Sequence, residues 1–87
     1  MNKYLVEFIG TLFILYVVLY TKNAFAIGAA TTIALILGQE ISGGHFNPSL
    51  SFMMAYANKL SAKDMLPYIL VQIAGGLAAY ELYKRVN

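Results

Sequence analysis

The sequence predicts an all-α membrane protein with three spanning helices and one short helix that re-enters the membrane behind a polar loop. Three observations lead there. Of 87 residues, 60% are hydrophobic and only 11% charged, too few charges to coat a soluble domain of this size. The apolar residues gather into three long runs. Between the second and third lies Ser42-Gly43-Gly44-His45-Phe46-Asn47-Pro48-Ser49, polar and unsuited to a helix, followed by a stretch too short to cross a bilayer.

The first run extends from Tyr4 to Tyr20, interrupted by Glu7, Gly10 and Thr11 and closed by Lys22-Asn23. Its helix would be roughly 25–30 Å long, about one hydrocarbon core. The second runs from Ala24 through Ile41 and is dense in Gly and Ala, which let helix backbones approach closely in lipid. The loop spans residues 42–48, and an amphipathic half-helix covers about 48–58. After the polar connector Lys59–Asp64, the third run covers Met65 to Tyr83 with Pro67 in its first turn, where proline is tolerated. Spans at about 4–21, 24–41 and 65–83 then make one unit, residues 1–87. Tyr4, Tyr20, Tyr56, Tyr68, Tyr80 and Tyr83 fall near the ends of apolar runs, where an aromatic belt sits. Lys3, the first apolar core and Ala24-Phe25-Ala26 also resemble a signal peptide with its cleavage site. Glu7 inside that core, and the core's length, speak against it.

Several function classes are excluded. The basic residues are scattered singly or in pairs, so no nucleic-acid surface forms. Cysteine is absent, which removes disulfides and thiolate metal sites. A lone histidine makes no metal site. No paired carboxylates, activated nucleophile or phosphate loop appears, so neither an enzyme nor a cofactor is expected.

The loop carries the functional signal. Irregular backbone at membrane depth is tolerated only where it is buried in protein or lines a watery cavity. Gly43 and Gly44 permit sharp turns, so that loop carbonyls, with that of His45, can face a lumen. Asn47 caps a helix that Pro48 begins, and the positive end of that helix would point toward the membrane middle. The Asn47 amide is then a donor to a passing oxygen, and cations are repelled. An Asn-Pro pair can equally cap a surface amphipathic helix; its position between a span and a helix too short to span favours the pore reading.

Ser42 to Ser49 resembles the first-half Ser-Gly-x-His-x-Asn-Pro-Ala loop of the aquaporin and glycerol-facilitator (major intrinsic protein) family. Glu7-Phe8-Ile9-Gly10-Thr11 resembles that family's first-helix signature, and Gln72-Ile73-Ala74-Gly75-Gly76 its third-helix motif. The resemblance implies one half of the aquaporin inverted-repeat fold. It also implies that Glu7 supports the loop, accepting its hydrogen bonds, and that Gly43, Gly44, His45, Asn47, Pro48 and Ser49 line a pore. By position relative to Asn47, the outer filter would draw on Ile27, Leu35 and Leu50. Ser49 stands where the family has Ala, and Leu50 where its second half has arginine. Two paired copies would ring each mouth with Ile27, Leu35, Gly44 and Leu50, which carry no charge.

Half a channel needs a partner. In the family's orientation Lys3, Lys59 and Lys63 lie on the cytoplasmic side and Lys22, Lys84 and Arg85 outside, three basic residues against three. Orientation follows basic bias. A balanced chain can insert both ways and build an inverted pair from one sequence. The expectation is a passive multi-pass channel for water or small neutral solutes in the cytoplasmic (inner) membrane. It would be made of antiparallel homodimers, with four such pairs forming a homo-octamer. The alternative is a non-conducting membrane interaction protein that packs against a full-length channel or another helix bundle.

Overall fold

A computed structural model describes residues 1–87. It contains four helices and no strand: α1 (Lys3–Thr21), α2 (Ala24–Ser42), α3 (Pro48–Tyr56) and α4 (Ala62–Val86). Three of them, α1, α2 and α4, are long and apolar enough to cross a membrane.

Each boundary has a local cause. The Asn2 side chain accepts from the Leu5 amide and starts α1; Lys22, left-handed at φ 51°, ends it. Asn23 caps α2 at once, accepting from the Ala26 amide, so only two residues connect the first two helices. Gly43 (φ 92°) terminates α2. The half-helix stops at Tyr56, two residues before the expected end, because Asn58 turns left-handed (φ 62°). The last helix is longer than its apolar run at both ends, from Ala62 to Val86. Hydropathy marks where lipid ends, whereas a helix continues through Lys63-Asp64 and Lys84-Arg85 as long as its backbone bonds are made. Pro67 therefore sits in the second turn of α4 rather than the first.

α1 is the central helix, flanked by α2 and α4, while α3 packs on α4. The α2 seam is a four-residue repeat of small side chains, Ala30, Ala34, Gly38 and Ser42. The α4 seam repeats similarly through Asp64, Tyr68, Gln72, Gly75 and Ala79. Close approach is literal here: a Cβ on Gly75 would stand 2.6 Å from the Phe8 carbonyl oxygen.

The molecule is inside-out. Its buried side chains are largely polar (Glu7, Thr11, Ser42, His45, Ser51, Asp64, Gln72), whereas leucines, isoleucines and phenylalanines cover the outside. Such a surface suits lipid. Tyr68 departs from the aromatic-belt expectation, because it is buried and donates its hydroxyl to the Ser42 carbonyl at 2.6 Å. At the polar edge, Asp64 joins the starts of α1 and α4. It accepts from Lys3 Nζ and Tyr4 Oη, each at 2.6 Å.

Candidate functional site

The site is the loop between α2 and α3, and it hangs on Glu7. This side chain is wholly buried. Its Oε2 accepts from Ser42 Oγ (2.6 Å) and the His45 amide (3.0 Å); its Oε1 accepts from the Phe46 amide (2.7 Å) and Gln72 Nε2 (2.9 Å). Four donors from the end of α2, the loop and α4 thus converge on one carboxylate of α1. Charge-assisted bonds of this kind are stronger than neutral ones, and removing the acceptor would leave the buried His45 and Phe46 amides and one Gln72 hydrogen unpaired, and Ser42 Oγ with only the longer contact to the Gly38 carbonyl (3.4 Å).

The loop backbone is tightly wound. Gly43 (φ 92°), Gly44 (φ 65°) and Phe46 (φ 55°) are all left-handed. Glycine adopts that region freely, but for Phe46 it costs on the order of 1–2 kcal/mol. Its amide bond to Glu7 helps offset the cost, as does a ring that fills the space over Gly10, where a Cβ would lie 2.1 Å from the ring. Phe46 therefore packs. Gly44 presses against α2, where a Cβ would meet Leu35 Cδ2 at 2.7 Å.

Two consequences bear on function. The carbonyls of Gly43, Gly44, His45 and Phe46 accept no hydrogen bond within the chain, whereas the flanking carbonyls of Ser42 and Asn47 do. Four consecutive free acceptors need water or another partner. Asn47 Oδ1 caps α3, accepting from the amides of Ser49 (2.7 Å) and Leu50 (3.3 Å). Its Nδ2 donates to no group of the chain, and the residue is exposed.

Of the filter candidates, Leu35 and Gly44 are brought together by direct packing. Ile27 lies two helical turns from Leu35, roughly 12 Å along α2, so one copy does not assemble the four-residue mouth. Leu50 is half-buried in the first turn of α3, and Pro48 is also half-buried beside the exposed Ser49. A concavity of about 510 Å³ lies between α1 and α2. Ile9, Phe13, Ile33 and Leu37 line it, with the Phe46 ring, and its wall is almost wholly apolar.

The sequence assigns no role at the loop to three participants. Ser51 is buried and contacts both His45 Nδ1 (2.7 Å) and Gln72 Nε2 (2.8 Å); from α4, Tyr68 donates to the Ser42 carbonyl and Gln72 to Glu7 and Ser51. The available signal was spacing: Ser51 is one turn beyond Asn47, and Tyr68 and Gln72 lie one turn apart on the Asp64–Gly75–Ala79 seam.

The family model described as Major intrinsic protein matches residues 1–87. The glycerol uptake facilitator protein-like 6 of Lactiplantibacillus plantarum is 36% identical over 93 residues, covering 97% of this chain and 43% of that protein. Aquaporin Z of Brucella melitensis is 48% identical over 48 residues, 55% of this chain and 21% of that protein. Aquaglyceroporin AqpS of Rhizobium meliloti is 33% identical over 60 residues, 69% of this chain and 26% of that protein. The chain spans less than half the length of these curated relatives. No solved structure matches it.

Proposed function

Because the chain belongs to the major intrinsic protein family, we propose that it forms a passive membrane channel for water or small neutral solutes, assembled from two inverted copies. The observation that carries this reading is the row of four unpaired carbonyls, Gly43 to Phe46, ending at the free amide nitrogen of Asn47. Acceptors in file and one donor can replace, one after another, the hydrogen bonds a small hydroxyl compound loses on leaving water. The re-entrant α3 turns its positive end toward the same spot, which disfavours cations. Gly43, Gly44, His45, Asn47, Pro48 and Ser49 line this path, with Ile27, Leu35 and Leu50 at the mouths and Glu7 holding the loop behind.

A second copy closes the path. Alone, the loop carbonyls and α3 would face lipid. The balanced basic residues, three toward each side, supply inverted copies from one sequence, and four such pairs would make the full assembly in an inner membrane.

Stopped-flow shrinkage of proteoliposomes tests conduction: the expected result is water or glycerol flux above that of empty vesicles. Equal rates would favour a non-conducting packing partner. A cysteine placed at Asn87 tests the inverted pair. Labelling from both sides of the membrane is expected, and labelling from one side alone refutes dual insertion. Asn47→Asp keeps the cap while placing a negative charge at the meeting point, so it is expected to assemble normally and to admit cations. Ion exclusion unchanged in that variant would remove Asn47 from the pore.

A further inference from the structure

The protons around Ser51 can be assigned one by one. A carboxylate only accepts hydrogen bonds. The Gln72 group 2.9 Å from Glu7 Oε1 is therefore its NH₂, not its carbonyl. The second hydrogen of that nitrogen goes to Ser51 Oγ at 2.8 Å. Gln72 Oε1 is left buried without a partner, as this orientation requires. Ser51 has one hydroxyl proton to give, and its remaining polar neighbour is His45 Nδ1 at 2.7 Å. Nδ1 is then the acceptor, and the neutral ring carries its hydrogen on Nε2. In the opposite tautomer Ser51 would receive two protons, and its own would have no acceptor, in a residue with no exposure.

The other edge of the ring is open. His45 Nε2 bonds to nothing in the chain and is not among the enclosed unpaired atoms. It lies beside Gly43, whose Cβ, if present, would stand 3.2 Å from it. Tyr68 packs on the ring with centroids 5.3 Å apart and fixes its plane. Glu7 contacts the His45 amide rather than the ring.

We propose that Ser51 and Gln72 are positioning residues that hold His45 in a single Nε2–H tautomer, so that its edge beside Gly43 is a permanent hydrogen-bond donor to an oxygen of the permeating molecule. The donor role rests on the channel reading; the tautomer does not. The lumen then offers acceptors from Gly43 to Phe46 flanked by two fixed donors, Asn47 Nδ2 and His45 Nε2. A hydroxyl or water both gives and takes at each step, and matches such a path.

His45 is the chain's one histidine, so ¹⁵N-histidine labelling reports its ring without assignment. At pH 8, Nδ1 is expected at the unprotonated shift and Nε2 with a bonded hydrogen. Ser51→Thr should keep that spectrum, and Ser51→Ala should mix the tautomers. A mixture or an Nδ1–H ring in the parent overturns the proposal, as does an unaltered spectrum in a folded Ser51→Ala. Replacing His45 by Nτ-methylhistidine keeps the Ser51 bond and removes the donor, which should slow glycerol flux about fivefold. Unchanged flux overturns the donor role. A parent that passes no solute refutes the channel reading and the donor role with it, while the nuclear magnetic resonance result still decides the tautomer.

Discussion

The seam between α1 and α4 holds together by different means along its length. Toward the loop it is polar and directional: Glu7, Gln72, Ser51 and Tyr68 interlock with one another and with the end of α2 through bonds of 2.6–2.9 Å. Farther along, it is small and close: Gly75 lies against the Phe8 carbonyl, Gly76 faces Leu15, and Ala79 is wholly buried. In lipid, apolar burial gives helices little reason to associate, so van der Waals fit and interhelical hydrogen bonds must supply it. The close-packed portion can only bring two helices together. The polar portion also fixes a third segment, the loop, in one conformation. Adhesion and positioning are thus separated along a single interface.

The largest expected effect comes from breaking the polar portion. Glu7→Ala removes the acceptor of four donors, each worth about 1–3 kcal/mol when left unpaired, and should abolish a cooperative thermal transition in detergent. Glu7→Gln, which turns one acceptor into a donor facing a donor, should fall between. A Glu7→Ala protein that melts with the parent would mean the loop is held by something else.

Gly75→Val tests the close-packed portion. The added side chain meets a backbone carbonyl, and overpacking of this kind costs about 1–3 kcal/mol. Gly28→Ala is the matched control, because a Cβ there meets nothing within 4 Å, and its midpoint should hold or rise. Equal losses at the two positions would show that the seam is not what sets the sensitivity.

The smallest effect belongs to the polar edge. Asp64→Asn keeps hydrogen-bond partners for Tyr4 and Ser61 but removes the ion pair with Lys3. A modest fall in midpoint is expected, with faster amide exchange in the first turn of α1. Raised salt should shrink the difference from the parent, since Lys3 is partly exposed and screening reaches it. A salt-independent difference would place the effect in the hydrogen bonds instead.

Much of this architecture is readable from residue order. The spans follow from apolar runs, the half-helix from Asn47-Pro48, and Glu7 stands out because an acid inside an apolar run demands partners. What could not be read are meetings across sequence. Ser51 is an ordinary serine until α3 turns it onto Gln72, and Tyr68 reads as a belt residue until the Ser42 carbonyl comes within reach. The small residues of α2 divide only in three dimensions: Ala30, Ala34 and Gly38 pack on α1, while Gly28 stays open. Positions relative to Asn47 pick out Ile27 and Leu35 equally, yet only Leu35 touches the loop.

The order in which the chain is made gives the Glu7 carboxylate a further consequence. The first acceptor the loop needs is synthesised 35–39 residues before the loop, whereas Tyr68 follows Ser42 by 26 residues. At about 5–20 residues per second of translation, the loop waits roughly one to five seconds for α4. Over that interval Glu7, already within the first hairpin, is available to catch the Ser42, His45 and Phe46 donors as they emerge. The carboxylate then acts as a temporal clamp, keeping a length of irregular backbone from seeking other partners until the last helix arrives to lock it.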